Sequence, residues 1–209
     1  PTSASATSLD SNSAAVTPSL VLLEGTHVRL EPLTRDHLDA LCEVGLDPEL
    51  WRWTTSTVHD RDDMRAYIEA ALKGQRRGRM RPFATIHRAS GRVVGSTRFG
   101  NIVPEHRRAE IGWTWVARPW QRTAVNTEAK WLMLRHAFEE MDCQRVEIKT
   151  DVLNARSRAA ILRLGATEEG ILRQHVITAT GRTRATIYYS LLADAWPRVD
   201  AALRARLAR

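Results

Sequence analysis

The feature that most constrains the fold is a long helical run with almost no polar face. It extends from about Val125 to Met141, and its apolar residues are Ala129, Trp131, Leu132, Met133, Leu134, Ala137 and Phe138. A helix that is apolar nearly all round is typical of one packed in the interior against a sheet. A short polar loop with Arg122 precedes it, and the unpaired N–H groups of a helix start attract anions. The run therefore predicts a buried helix with an anion site at its N-terminus.

Hydrophobic periodicity divides the chain into strands and helices in the order β-α-α-β-β-β-α-β-α-β-β-α. A helix is predicted over 34–45, with Thr34 as its N-cap, and a second helix over 60–74, which Gly74 ends. A short helix after the long one has Asn154 as its cap. This order is typical of an α+β fold with a mostly antiparallel sheet and helices packed on it.

Two further patterns concern the strands. Hairpin turns are predicted at Ser90-Gly91 and at Thr180-Gly181. In the strand AEIGWTWVA, the alternation of large apolar residues predicts that Ile111, Trp113 and Trp115 share one face of the sheet.

Composition predicts one folded domain between a polar tail and a final helix. Residues 1–19 are almost entirely Ser, Thr, Ala and Pro, and such a segment buries too little apolar surface to offset the cost of ordering, so we expect a flexible tail. The domain is expected over 20–192, with residues 193–209 as a C-terminal helix packed on it or extending it. A chain of 209 residues with 43% hydrophobic content is long enough for one such core.

The charge and the cysteines limit the classes of function. The net charge of +7 favours anionic ligands, namely nucleic acid, an acidic protein face or a phosphate-bearing cofactor, and it equally fits a soluble arginine-rich protein whose charge has no specific ligand. Cys42 and Cys143 are too few for a disulfide framework or a metal set, and both are interpreted as small buried residues of a reducing compartment. No apolar run is long enough to span a membrane, and no histidine pair has metal-ligand spacing. We therefore expect a cytoplasmic protein without a metal site.

Three strings, in their order and spacing, resemble the GNAT N-acetyltransferase superfamily, and within it the branch of ribosomal-protein N-terminal acetyltransferases. The strings are EGTHVRLEPLTRDHLDAL, EIGWTWVARPWQRTAVNTEAKWLMLRHAFE and VEIKTDVLNARSRAAILRLGATEEGILR. The resemblance implies a mixed, mostly antiparallel, splayed sheet with helices on both faces. It also implies acetyl-CoA as co-substrate, a primary amine of a protein N-terminus or small molecule as acceptor, and a homodimer as one expected assembly.

The resemblance identifies the anion at the helix start as the pyrophosphate of acetyl-CoA. GNAT proteins carry a Q/R-x-x-G-x-G/A loop at this place, and the matching residues are Gln121, Arg122, Thr123, Ala124, Val125 and Asn126. Ala124 and Asn126 stand where the family has small residues that let phosphate approach the backbone closely. The asparagine adds bulk and a side chain with its own hydrogen-bonding groups.

The strand EIGWTWVA is expected to bind the rest of the cofactor. In GNAT proteins this strand splays from the next one, here VEIKTD, and leaves a V-shaped gap. By resemblance, backbone groups of Thr114, Trp115 and Val116 pair with the pantetheine arm, and one N–H near the gap holds the oxyanion of the thioester. The side chains of Trp113 and Trp115 are expected to pack in the core.

The string NARS supplies the third part of the expected site. By resemblance, Asn154 binds the cofactor arm and the Ser157 hydroxyl protonates the departing CoA thiolate, a step for which other GNAT proteins often use a tyrosine that this chain lacks there. The same two residues also fit a plain helix cap, with asparagine at N-cap and serine at N3. Both interpretations stay open.

A carboxylate is expected to accept a proton from the acceptor amine, because only a neutral amine attacks the thioester. Glu110, at the start of the cofactor-binding strand, is our first choice, and Asp151, at the end of the neighbouring strand, is the alternative. Glu169 recurs in this branch and is expected to be structural. Each also fits a surface carboxylate in a chain with 31 basic residues.

Two other classes of function remain open. The basic string KGQRRGRMR, residues 73–81, fits a nucleic-acid or ribosome-binding module, although it lacks interleaved aromatic residues and no RNA- or DNA-binding signature accompanies it. The altered loop glycines fit a GNAT-fold regulator that binds acyl-CoA without turnover. The leading interpretation is an acetyl-CoA-dependent N-acetyltransferase.

Overall fold

The computed structural model describes residues 21–208, so the expected tail over 1–19 lies outside the described residues. Within these residues the chain forms one eight-stranded sheet in the order β1-β2-β3-β4-β5-β6-β8-β7. The strands are β1 (Leu23–Glu24), β2 (Val28–Pro32), β3 (Arg81–His87), β4 (Arg92–Val103), β5 (Arg108–Val116), β6 (Arg145–Asp151), β7 (Thr167–Ile177) and β8 (Thr183–Leu192). The helices are α1 (Leu38–Gly45), α2 (Arg61–Arg76), α3 (Ala124–Glu139), α4 (Ala155–Leu162) and α5 (Trp196–Leu207).

The predicted order of elements is confirmed, with the two-residue β1 as the addition. Every neighbouring pair of strands is antiparallel except β5 and β6, which are parallel. Parallel neighbours need a crossover connection, and α3 provides it. The mixed, mostly antiparallel sheet of the predicted fold class is therefore confirmed.

Helices cover both faces of the sheet, as predicted. Side chains of α1 and α2 form a core with one face through Leu41, Met64, Ile68, Ala84 and Trp115. The long helix α3 lies on the other face, where α5 packs beside it. That second core includes Val125, Leu132, Met133, Leu134, Ile111, Val146, Ile148, Val199 and Leu203. The absence of a polar face on α3 is explained by its position between the sheet and α5.

The second helix ends later than its sequence predicts. We expected Gly74 to end it, but α2 continues to Arg76. A Cβ on Gly74 would lie 2.6 Å from Met80 Sδ, so this glycine gives the following chain room to pack against the helix. The glycine in the left-handed conformation that follows the helix end is Gly78, at φ 69°.

The expectation that Ile111, Trp113 and Trp115 share one face is wrong. The β4–β5 register slips between Arg98 and Ser96, which pair with Gly112 and Trp115, and Trp113 takes a φ of 51°. This irregularity is a β-bulge, and its extra residue reverses the alternation beyond it. Ile111 therefore packs on the α3 side, whereas Trp115 packs with α1 and α2.

Cys143 is buried and Cys42 is half-buried, and both thiols are free. Burial raises the pKa of each thiol, as expected for small interior residues rather than reactive ones. Across residues 21–208, no helix has the length and apolar character needed to cross a membrane.

Candidate active site

A gap opens in the sheet between β5 and β6. The two strands pair only where Arg108, Ala109 and Glu110 face the first three residues of β6. Beyond Glu110, β5 continues to Val116 with β4 as its only paired neighbour. The splayed geometry is thus present, and Thr114, Trp115 and Val116 all lie on the unpaired stretch, where a ligand can add to the strand edge.

The bulge fixes which side chains of β5 reach each face near the gap. The carbonyl of Trp113 accepts a hydrogen bond from the Tyr67 hydroxyl at 3.1 Å, which ties the bulge to α2. The ring of Trp115 packs against Trp51 in the core, so its contribution at the gap is limited to its backbone. Thr114 points to the α3 side.

The polar loop closes the open end of the gap. Gln121 donates from Nε2 to the carbonyl of Val116 at 2.7 Å and accepts at Oε1 from Arg156 Nη2 at 2.6 Å. It therefore links the end of β5 to α4 across the gap. The exposed Arg122 precedes the start of α3, and with Arg156 it makes this end of the gap electropositive.

The altered glycine positions of the loop carry no backbone strain. Ala124 is the first residue of α3, and the Thr123 hydroxyl caps the helix by accepting from Val125 N–H at 3.3 Å. The left-handed residue of the loop is Arg122, at φ 63°. Asn126 Oδ1 is buried and has no hydrogen-bond partner among residues 21–208. A buried acceptor without a donor is costly, so it fits a ligand that brings amide N–H groups as well as phosphate.

The cap interpretation of the NARS string is present in the structure. Asn154 Oδ1 accepts the backbone N–H of Ser157 at 3.0 Å. The side-chain amide group of Asn154 keeps its Nδ2 donors, and the half-buried Ser157 lies in the first turn of α4, which follows the end of β6. Capping thus occupies Oδ1 of Asn154 and leaves its Nδ2 donors available to another partner.

Glu110 and Asp151 are both buried and both paired. Glu110 is 2% exposed, and its Oε2 lies 2.8 Å from Lys149 Nζ and 2.7 Å from Asn101 Nδ2. Asp151 is 0% exposed, pairs with Arg182 and lies 4.0 Å from Arg184 Nε. Of the two, Glu110 keeps an oxygen, Oε1, outside these contacts. It lies at the closed end of the gap, away from Ser157.

The ion pair also has an effect on Lys149. Burial lowers the pKa of Lys149, but the charge and hydrogen bond of Glu110, aided by Tyr188, outweigh it and raise the pKa overall. Glu169 binds Ser190 and Arg145, and these hydrogen bonds lower the pKa of its carboxyl group. Its contacts are those of a structural residue.

Sequence reasoning missed two buried charges on α3, Glu128 and Lys130. Lys130 Nζ donates to Thr97 Oγ1 at 3.2 Å and to Thr114 Oγ1, and burial lowers its pKa to about 7. Glu128 accepts three backbone N–H groups from the β1–β2 turn. A signal was available, because a helix without a polar face leaves its charged residues nowhere to reach water.

The comparisons with known proteins agree with this geometry. The family model described as the acetyltransferase (GNAT) domain matches residues 27–167. This match covers more than half of the chain, so the protein belongs to the GNAT acetyltransferase family.

Individual relatives match in sequence and in structure. The Bacillus subtilis protein named "Putative ribosomal N-acetyltransferase YdaF" is 35% identical over 106 residues, which are 51% of this chain and 57% of that protein. A GCN5-related N-acetyltransferase from Brucella melitensis is 32% identical, with a TM-score of 0.84 over 91% of this chain and 87% of the other. Mycobacterium smegmatis RimJ, solved in complex with CoA-disulfide, is 26% identical, with a TM-score of 0.76 over 90% and 92% of the two chains.

Proposed function

We propose that the protein is an acetyl-CoA-dependent N-acetyltransferase that transfers the acetyl group to a primary amine by direct attack. The observation that carries this proposal is the gap beside Thr114–Val116, which leads to the capped start of α3 between Arg122 and Arg156. An extended arm with a diphosphate at its end fits that combination, because strand edges bind extended backbones and helix starts bind phosphate. The CoA-disulfide complex of the RimJ relative supports the choice of ligand.

The residues are assigned the following roles. The pyrophosphate binds the N–H groups of the loop and first turn, residues 121–126, and the pantetheine arm pairs with the backbone of residues 114–116. Asn154 donates from Nδ2 to the arm, and Ser157 offers its hydroxyl to the sulfur. Glu110 accepts the proton of the acceptor ammonium at Oε1, so that a neutral amine attacks.

The acceptor is a protein N-terminal amine or a small-molecule amine. The ribosomal name of the Bacillus subtilis relative favours the first class. Free-thiol release with N-terminal peptides and small amines, followed by mass spectrometry of the products, distinguishes the two classes and also excludes a regulator that binds without turnover.

The ligand assignment is tested by thermal unfolding with acetyl-CoA. At a hundredfold excess over the dissociation constant, the ligand is expected to stabilise the fold by about 2.7 kcal/mol. Ala124→Val places a branched side chain at the first helical residue and is expected to abolish the shift while leaving the unliganded protein folded. Ala202→Val, on an exposed position of α5, is the matched control and keeps the shift. A wild type whose melting temperature ignores acetyl-CoA contradicts the proposal.

The chemical roles are tested on a confirmed acceptor. Ser157→Ala is expected to bind acetyl-CoA nearly as well as the wild type and to lose turnover, because its role exists only as the thiolate leaves. Glu110→Gln is expected to lower kcat by about 10²–10⁴-fold at low pH and less at high pH, where more of the amine is already neutral. Glu168→Gln, an exposed carboxylate of β7, serves as the control. If both variants keep the wild-type kcat at every pH, the roles assigned to Ser157 and Glu110 are wrong.

A further inference from the structure

Lys130 is a buried amine without a charged partner in the described part of the chain. It is 5% exposed, and its Nζ contacts the hydroxyl oxygens of Thr97 and Thr114. Lysine is almost never buried unless it is paired, because an isolated ammonium is costly to remove from water. Among the described residues no carboxylate forms an ion pair with it, and burial is the whole cause of its pKa of about 7. The amine thus exchanges its proton near neutral pH.

The ionisable groups around Lys130 are engaged elsewhere. Along α3, Glu128 binds the β1–β2 turn and Arg135 stacks on Trp131. Charged side chains of the neighbouring strands lie on the opposite face of the sheet. There Arg98 of β4 stacks on Tyr67 of α2, Glu110 of β5 pairs with Lys149 of β6, and Glu147 and Asp151 of β6 pair with Arg108 and Arg182. The arginines of α4, Arg156 and Arg158, bind Gln121 and Tyr189. Within residues 21–208, the hydrogen-bond partners of Nζ are the hydroxyl groups of Thr97 and Thr114.

Thr114 connects this amine to the gap. It is the first residue after the bulge at Trp113, it is half-exposed, and it lies on the stretch of β5 that has no β6 partner. Its hydroxyl oxygen contacts both Lys130 Nζ and Thr97 Oγ1, the latter at 2.7 Å. One hydroxyl group therefore separates the amine of Lys130 from the strand edge where, under the proposed function, the thioester lies.

We propose that Lys130 stores the proton that acetyl transfer moves from nitrogen to sulfur. When the C–S bond breaks, the Thr114 hydroxyl gives its proton to the CoA thiolate and takes one from the Lys130 ammonium. The neutral Lys130 then recovers, by the same route, the proton that the acceptor nitrogen loses as the amide forms. The amine and the thioester become the amide and the thiol, and Lys130 ends as it began. This inference rests on the proposed function.

Acidity explains why a lysine is needed beside Ser157. A serine hydroxyl can hydrogen-bond the sulfur, but the contact of Ser157 within residues 21–208 is made by its backbone N–H, and no hydrogen-bond partner there would replace a proton given away by Oγ. A thiol has an ordinary pKa of about 8.5, so an ammonium group that titrates near neutral pH gives up its proton to a thiolate readily. A group with a pKa close to the working pH is also the best exchanger of protons.

A direct test measures the pKa of the CoA thiol bound to the protein, by thiolate absorbance during a pH titration. Below about pH 7 Lys130 carries its charge and favours the neighbouring thiolate, so bound CoA is expected to show more thiolate absorbance there in the wild type than in Lys130→Met. This measurement needs no acceptor. Equal thiolate absorbance in the two proteins below about pH 7 overturns the role of Lys130 and leaves the proposed function intact, whereas failure of the wild type to bind CoA in any form overturns both.

Turnover gives the second test, with a pair of matched variants. Thr114→Val and Thr97→Val each remove one hydroxyl contact from Lys130, but only Thr114 adjoins the gap. We expect Thr114→Val and Lys130→Met to lower kcat by about 10²–10⁴-fold, with acetyl-CoA still bound, and Thr97→Val to lower it by less than threefold.

The pH profile separates proton transfer from packing. The wild type is expected to lose kcat as rising pH deprotonates Lys130, and this limb is expected to be absent in Lys130→Met and in Lys130→Arg, whose guanidinium keeps its proton. Equal effects of the two threonine variants, or a Lys130→Met profile that keeps the limb, contradict the proposal and assign Lys130 a packing role.

Discussion

Glu128 and Lys130 lie two residues apart on α3 and are both buried, but they differ in the groups that bind their charges. Glu128, at 2% exposure, accepts N–H groups of Thr26, His27 and Val28 at 2.8, 2.6 and 2.7 Å. Lys130 has two neutral hydroxyl groups and a strongly lowered pKa. The carboxylate of Glu128 connects two segments that lie about a hundred residues apart in the chain. Burial of the Lys130 ammonium costs free energy, and its two hydroxyl contacts offset less of that cost. A buried charge of this kind destabilises the fold, and groups with such perturbed pKa values cluster at functional sites.

The largest expected effect comes from removing the compensated charge. Glu128→Ala leaves three N–H groups, one of them in the buried Val28, without their acceptor, and hydrogen bonds to a charged group contribute about 1.5–3 kcal/mol each. Since such terms are not additive, we expect a loss of about 5 kcal/mol in the free energy of unfolding, measured by denaturant titration. Glu43→Ala, on the exposed side of α1, is the control and changes stability by less than about 0.5 kcal/mol. A loss below 1 kcal/mol for Glu128→Ala would remove the contrast between the two charges.

Replacing Lys130 is expected to raise the free energy of unfolding, whereas replacing Glu128 lowers it. The pKa of Lys130 falls from 10.5 to about 7 on folding, so the unfolded chain holds the proton more tightly between these values. The wild type therefore gains stability as pH rises from about 7 to 10.5 and carries the full cost below pH 7. One pKa unit corresponds to about 1.4 kcal/mol, so Lys130→Met is expected to stabilise the protein by about 5 kcal/mol at pH 6.

The control for Lys130→Met is the pH dependence of its stability relative to the wild type. Its advantage over the wild type is expected to shrink towards pH 10, where the amine is neutral in the native state and begins to lose its proton in the unfolded chain. Denaturant titrations of both proteins at several pH values measure this. A pH-independent difference would mean that the methionine acts through packing alone.

The two buried charges on α3 also show which features of the structure could be predicted from the sequence and which could not. The strands and helices follow from local periodicity and caps, and Asn154 was expected as a cap from its own position. The bulge at Trp113 arises from pairing with β4, and the role of Glu128 from a turn near residue 26, so neither is visible in a local pattern. The lack of a polar face on α3 indicates that Glu128 and Lys130 are buried, but it does not indicate which groups they contact.

The candidate site shows the same division. The loop over 121–126 and the splayed strand were predicted because the family's strings mark them. The partners of Glu110 could not be predicted, because Lys149 and Asn101 reach it from different elements once the sheet has formed. Chemistry that depends on burial, such as the pKa of Lys130, is a property of the packed structure.

A smaller effect is expected at the turn that Glu128 holds. A Cβ on Gly25 would lie 2.5 Å from the Glu128 carboxyl carbon, so Gly25→Ala must displace either the turn or the carboxylate. We expect a loss of about 2 kcal/mol, measured as the shift in the denaturation midpoint. Gly91→Ala would be a poor control because Gly91 has a positive φ, so Ala89→Gly, in the exposed β3–β4 turn, is used instead. If Gly25→Ala costs the same in a Glu128→Ala background, the clash with the carboxylate is not its cause.

The smallest expected effect separates the two hydroxyl contacts of Lys130 from the burial of its charge. Thr97→Val removes one of these contacts at nearly constant volume, and an unmet partner of a buried group costs about 1 kcal/mol. In a Lys130→Met background there is no amine for the Thr97 hydroxyl to bind, so the loss of stability caused by Thr97→Val is expected to fall to about half. A double-mutant cycle below pH 7, where Lys130 is charged, measures this coupling, and repeating it near pH 10 gives the comparison with the neutral amine. Coupling that is absent at both pH values would mean that the hydroxyls do not support the ammonium, and that its cost is set by burial alone.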